Sequence, residues 1–307
     1  MPGKRTALCN RNGSDRRIYT MGQRSNFGCL SKEYSDVKNA RVVIIPVPYD
    51  KTSTWIKGAA RGPAAVIEAS ANMELYDIET DSEVYKSGIF TDEAIEEKSS
   101  PEAMVEAVSR RVREYIKQGK FVVVVGGEHS VGIGSVKAHV EDDKDITVLQ
   151  LDAHCDLRQE YKGSKYNHAC VMARVRELCP ILQVGIRSMD SSEKGFADRA
   201  RIFFAKDIYD NRNWIKECVR RLTERVYVTI DLDVFDPSIM PSVGTPEPGG
   251  LLWYDVLALL RAVVERKDVL GFDVVELCPN ERNKAPDFLA AKLIYKLLSY
   301  KFGGANG

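Results

Sequence analysis

No apolar run in this 307-residue sequence approaches the ~20 residues a helix needs to cross a bilayer, which excludes a helical membrane protein. Net charge is missing as well: 44 basic side chains stand against 44 acidic ones. A zero balance argues against a nucleic-acid binder that neutralises phosphates, and against a polybasic membrane-surface protein. Cysteine pairing is absent too. The seven cysteines, Cys9, Cys29, Cys155, Cys170, Cys179, Cys218 and Cys278, contain no CxxC and no paired spacing. An odd, scattered count points to reduced thiols, so the expected location is cytoplasmic. The opening stretch "MPGKRTALCNRNGSDRRIYT" is basic but lacks the apolar core of a secretory signal. Asp15 and the glycines spoil a transit-peptide helix. Residues 1–25 are therefore expected to be a disordered tail, or an overlong start with Met21 as initiator. No repeat, long linker or low-complexity block divides the remainder, and 26–307 reads as one domain.

What is present is an alternation of short β-branched runs with longer helical patterns. The expected strands are 40–48, 121–127, 146–154, 181–187, 201–208, 225–233 and 269–279. Several are continuously apolar, as strands buried on both faces of a helix-covered parallel sheet must be. "SPEAMVEAVSRRVREYIKQGK" offers Ser100 as N-cap and Pro101 at the first helical position. Its Met104, Val108, Val112 and Tyr115 recur at helical spacing as a core stripe. "RGPAAVIEASANMELY", "NWIKECVRRLTE", "LLWYDVLALLRAVVERK" and "APDFLAAKLIYKLLSYK" read the same way. The βα alternation predicts a three-layer α/β domain.

Three of these strands end in side chains that bind metals. "VVVVGGEHS" delivers His129 after two glycines, which are read as letting the chain turn sharply. "LQLDAHCDLR" delivers Asp152, His154 and Asp156 on alternate positions, hence one strand face. Cys155 then points away as buried filler. "VYVTIDLDVFDP" delivers Asp231 and Asp233 by the same alternation. Any one of these taken alone reads as a loop histidine or a helix cap. Together, charged groups directly following buried strands point to a shared metal site, since charges are rarely buried unpartnered. His139, in "SVKAHVEDDK", is read as a surface-helix residue. Two imidazoles and four carboxylates exceed what one ion needs and suit two ions bridged by shared carboxylates. An oxygen-rich set without thiolate favours Mn²⁺, then Fe²⁺ or Co²⁺, over structural zinc.

"GGEHS", "DAHCD", "DLDVFDP" and "GTPEPGG", in that order, resemble the ureohydrolase family of arginases and agmatinases, over roughly 57–279. The resemblance implies a three-layer αβα fold around a mostly parallel eight-stranded sheet, with two Mn²⁺ per chain. The six side chains above become its ligands, and the assembly becomes a homo-trimer or hexamer. It implies that Asp156 also holds and deprotonates the attacking water. His168, in "SKYNHACV", resembles the loop histidine that gives a proton to the leaving amine. Glu276, in "FDVVELCP", becomes the carboxylate that holds the substrate guanidinium through two parallel N–H bonds. Glu128 stands where many members have Asp.

The substrate is expected to be a small guanidino compound. "LRQEYKGSKYN" (157–167) lacks the Ser-Gly-Asn pattern of arginases and looks agmatinase-like, so agmatine, cleaved to putrescine and urea, is the expectation. Arginine and guanidino acids such as 4-guanidinobutyrate stay open, because Arg158, Lys162 or Lys165 could pair with a carboxylate. Glu160 is expected to neutralise Arg158. A dinuclear phosphoesterase, a single-zinc deacetylase and a non-catalytic metal-stabilised scaffold are the rival classes.

Overall fold

The computed structural model describes residues 7–8, 18–19, 26–143 and 145–304. Apart from a two-residue antiparallel ladder, Ala7–Leu8 with Ile18–Tyr19, the expected tail of residues 1–25 lies outside the described residues. Eight strands form one sheet: β1 (Val42–Val47), β2 (Ile89–Thr91), β3 (Phe121–Gly126), β4 (Ile146–Leu151), β5 (Ile181–Ile186), β6 (Ile202–Phe204), β7 (Arg225–Asp231) and β8 (Asp268–Val275). Their order is β2-β1-β3-β8-β7-β4-β5-β6 and every pairing is parallel.

Continuous apolar strands are buried on both faces, and their side chains divide by alternation. Val42 and Ile44 of β1 enter one core, while Val43, Ile45 and Val47 enter the other. Helices α1 (Gly62–Ser70), α4 (Trp214–Arg221), α5 (Trp253–Arg266) and α6 (Ala285–Phe302) cover the first core. Helices α2 (Pro101–Ile116) and α3 (Val131–Asp142) cover the second. Met104, Val108, Val112 and Tyr115 are all buried, as their spacing predicts. Ser100 caps α2, its hydroxyl accepting from Ala103 N–H at 3.1 Å.

Several expectations need correcting. The stretch 201–208 is strand only at Ile202–Phe204, then helix at Ala205–Asp210. It forms the sheet edge, where a single neighbour, β5, limits the ladder. The opposite edge strand, β2, is three residues long and too short to show a period. α1 stops at Ser70 rather than running on through "NMELY". His139 is buried in α3, its ring 4.8 Å from that of Tyr227, and Nδ1–H donates to Ser135 O at 2.9 Å. Its helix is packed between α2 and the sheet, so even its polar-looking flank faces inward. Cys155, Cys170, Cys179, Cys218 and Cys278 are free and buried, whereas Cys29 is disulfide-bonded, against the expectation of reduced thiols throughout.

Candidate metal centre and substrate cleft

Four strands adjacent in the sheet, β3, β8, β7 and β4, bring their carboxyl ends to one place, where open parallel sheets bind ligands. β3 runs into Gly126 and Gly127. Neither glycine takes a left-handed φ, so the sharp turn read from the sequence is not their purpose. A Cβ on Gly127 would overlap the Tyr49 carbonyl, and one on Gly126 would overlap Val131. The pair lets two chain segments pass in contact and sets His129 at the strand end, 1% exposed.

β4 ends at Leu151, so Asp152, His154 and Asp156 do not share a strand face as alternation predicts. They converge because the chain curls, with Asp156 at φ +53°. Cys155 is buried behind them. Asp231 closes β7 and its Oδ1 accepts from Asp233 N–H at 2.9 Å, capping a 3₁₀ turn that brings Asp233 round. Glu276 follows β8 at φ +68°. Left-handed backbone on a side chain with a Cβ is strained, and such strain collects at functional sites.

The side chains form two groups with one member in common. His129, Asp152 and Asp156 are one; Asp152, His154 and Asp233 are the other, and in each the ligand atoms lie within 4.8 Å of one another. Asp231 joins the first, its Oδ2 3.5 Å from His129 Nδ1. His129 Nδ1 is 3.1 Å from both Asp152 and Asp156, yet it is buried without a hydrogen-bond partner. An orphaned, aimed imidazole nitrogen among carboxylates fits a cation. The electrostatics agree: burial and mutual repulsion push Asp231 and Asp233 up, and Asp156 up to about 6. Burial opposes charge on Asp152 and both histidines, but their mutual ion pairs prevail, lowering Asp152 and raising His129 and His154. Four buried carboxylates call for positive charge, and divalent cations, which oxygen and imidazole donors suit, would supply it.

The sequence reading missed the side chains that orient these ligands. Gln183, Gln150, Thr229 and Asp273 are successive register partners across β5, β4, β7 and β8. His129 Nε2–H donates to Thr229 Oγ1 (2.9 Å), which donates to Asp273 (2.6 Å), whose other oxygen accepts from Tyr227 OH (2.8 Å). In the neutral ring that chain keeps the proton on Nε2, so Nδ1 is the nitrogen offered to a cation. Gln183 donates to Gln150 Oε1, and Gln150 donates to Asp152 Oδ2 at 2.7 Å. Arg187 donates to the carbonyls of Asp233, Val234, Phe235 and Glu247, clamping the Asp233 turn. The available signal was polar residues inside otherwise apolar strands, which must have buried partners.

A cleft of about 150 Å³ opens above the ligands, lined by His154, Asp156, Asp231, Asp233, His168 and Glu276 below and by Arg158, Tyr161 and Asp190 nearer the mouth. Glu276 Oε1 accepts from His129 N–H at 2.8 Å and lies 3.7 Å from His168 Nδ1. Burial lowers the His168 pKa, but Glu276 outweighs it and the net shift is upward. His168 Nε2 is buried with no partner. Arg158 pairs with Asp190 at 3.3 Å and stacks on Tyr161 at 4.6 Å; Glu160, the partner expected from sequence, does not pair with it. Lys162 and Lys165 are exposed and do not line the cleft.

Comparison with known proteins follows the same direction. The family model described as Arginase family matches residues 40–299. The chain is 41% identical over 281 residues to the N(1)-aminopropylagmatine ureohydrolase of Synechocystis sp., covering 88% of this chain and 92% of that protein. It is 34% identical over 266 residues to the agmatinase of Pyrococcus horikoshii, covering 86% and 93%. The structure superposes on the agmatine ureohydrolase of Thermoplasma volcanium with a TM-score of 0.82 at 32% identity, covering 92% of this chain and 95% of that one.

Proposed function

The chain belongs to the arginase family, as an agmatinase-like ureohydrolase, and on that premise we propose that it cleaves the guanidino group of an N-alkylated agmatine, releasing urea. The observation that carries this is the facing of two ligand groups, joined at Asp152, by Glu276 and an unpartnered His168 Nε2 across one cleft. In this reading His129, Asp152, His154, Asp156, Asp231 and Asp233 hold two Mn²⁺ per chain. When bound, such a pair supplies the Lewis acidity that makes water nucleophilic near neutrality.

The chain's own groups do the rest. Glu276, fixed by the His129 N–H, receives two N–H bonds from the guanidinium and sets its plane. Its Oε2 lies beside Gly244. Asp156 orients the water and takes its proton. The water oxygen bonds to the guanidinium carbon, the bond from that carbon to the alkyl nitrogen breaks, and His168 Nε2 protonates the departing amine.

For the substrate we favour N(1)-aminopropylagmatine, which would give a triamine and urea; the 41% identity to a protein of that name supports it. Agmatine, giving putrescine, is the second reading, supported by the agmatinase relatives. Arg158, engaged by Asp190, offers no free cation for a guanidino acid. The same reading places the enzyme in the cytoplasm, as a homo-trimer or hexamer in polyamine formation; no helix among the described residues is long and apolar enough to cross a membrane. Urea release from the two amines, arginine and 4-guanidinobutyrate by manganese-loaded protein tests it. A guanidino acid preferred by tenfold or more in kcat/KM, about 1.4 kcal/mol of transition-state preference, would overturn the amine assignment.

A further inference from the structure

The His168 backbone N–H donates to Thr52 Oγ1 at 2.9 Å. Thr52 is in turn gripped at two points by one carboxylate. Its N–H donates to Glu128 Oε2 at 2.7 Å, and its hydroxyl donates to Glu128 Oε1 at 2.6 Å. Ser130 Oγ also donates to Oε1, and Glu128 N–H donates to Tyr49 O at 2.8 Å. Glu128 is fully buried among these partners. A hydroxyl has one proton, and a carboxylate only accepts. The Thr52 proton is therefore committed to Glu128, and a lone pair is left facing the His168 N–H.

We infer that Glu128 and Thr52 are positioning residues for His168, tying its loop to the chain that carries His129. The inference rests on the reading of His168 as the proton donor to the leaving amine. Side-chain length matters here. An aspartate is shorter by one methylene, ~1.5 Å, and cannot span Thr52 N, Thr52 Oγ1 and Ser130 Oγ together. A displacement of His168 by about 1 Å would slow turnover by about 10²-fold.

The test uses full-length, manganese-loaded protein carrying Thr52→Val, Thr52→Ser or Glu128→Asp. Three measurements are made: urea release from N(1)-aminopropylagmatine and agmatine, bound manganese, and amide hydrogen exchange over residues 164–170 without substrate. Thr52→Val and Glu128→Asp should exchange faster in that segment and lose about 10–100-fold in kcat. KM should move by no more than about threefold and bound manganese should be unchanged, a split that uniform loss of binding does not give. Thr52→Ser should restore exchange protection and turnover. In a His168→Ala background, Thr52→Val should cost nothing further. Wild-type exchange in Thr52→Val would overturn the inference, as would the same fractional loss of kcat with and without His168. Faster exchange in a protein whose wild type releases no urea from either amine would support the tie while sinking the proposed function.

Discussion

Replacing His139 by Gln should make the protein less sensitive to acid. His139 is completely buried, and burial pushes its pKa from 6.5 down to about 4, opposed by the Ser135 carbonyl and Asp142. The Tyr227 ring lies tilted against it at 4.8 Å, and a Cβ on Gly271 would overlap Nε2, so the ring sits close against the backbone of β8. The folded pKa lies below the unfolded one, so between pH 6.5 and 4 the unfolded chain binds a proton that the folded chain refuses. Stability is whole above pH 6.5 and is lost as pH falls towards 4. A shift of about 2.5 units corresponds to about 3 kcal/mol in full, of which about 2 kcal/mol is lost between pH 7 and pH 5. Gln carries no proton to gain, and its amide can still donate to Ser135 O. Urea-denaturation midpoints of the manganese-loaded wild type and His139→Gln, measured at pH 7 and pH 5, decide the matter. Any penalty of the variant at pH 7 should shrink by about 2 kcal/mol at pH 5. Acid effects on the ligand carboxylates are common to both proteins and cancel. Equal losses in the two would refute the buried neutral state of His139.

The remaining expectations concern the cleft and its walls. Asp231→Asn and His154→Ala should lose most activity along with bound manganese; elemental analysis showing one tightly held zinc per reconstituted chain would contradict the two-Mn²⁺ assignment. Glu276→Gln should retain its metal but lose both binding and turnover, read by manganese content beside urea-release kinetics. His168→Ala should chiefly lower kcat, by about 10²–10⁴; normal turnover at saturating substrate would remove the donor role. Gly127→Ala should destabilise the protein or force the chain apart at Tyr49, seen as a lower thermal midpoint, because the new Cβ overlaps the Tyr49 carbonyl.

Seven of the eight strands were legible from their β-branched runs, because burial on both faces removes any need for polar residues there. The eighth, Ile89–Thr91, pairs on one side only and is too short to carry a pattern. The six candidate ligands were legible as residue types at strand ends, but the geometry that gathers them was not. Alternation explains nothing beyond Leu151; a left-handed turn at Asp156 and a 3₁₀ turn after Asp231 do that work. Gly126 and Gly127 stood out in sequence, yet their reason is the close approach of Val131 and Val275 to one and of the Tyr49 carbonyl to the other. His139 misled because three acidic residues follow it closely, while packing of α3 against the sheet, at Tyr227 and Gly271, buries it. Gln183, Gln150, Thr229 and Asp273 were invisible as a set, since only strand register aligns them.

That alignment has a bearing on folding. The row depends on four strands that lie far apart in sequence meeting in one register, and a slip by a single residue would turn the polar member of a strand to the opposite face. His129 would then lose its Thr229–Asp273 support, or Asp152 its glutamine. On the two-metal reading, metal affinity would gauge correct strand pairing, because divalent ions would bind only the sheet in its proper register and favour it over misregistered competitors during folding.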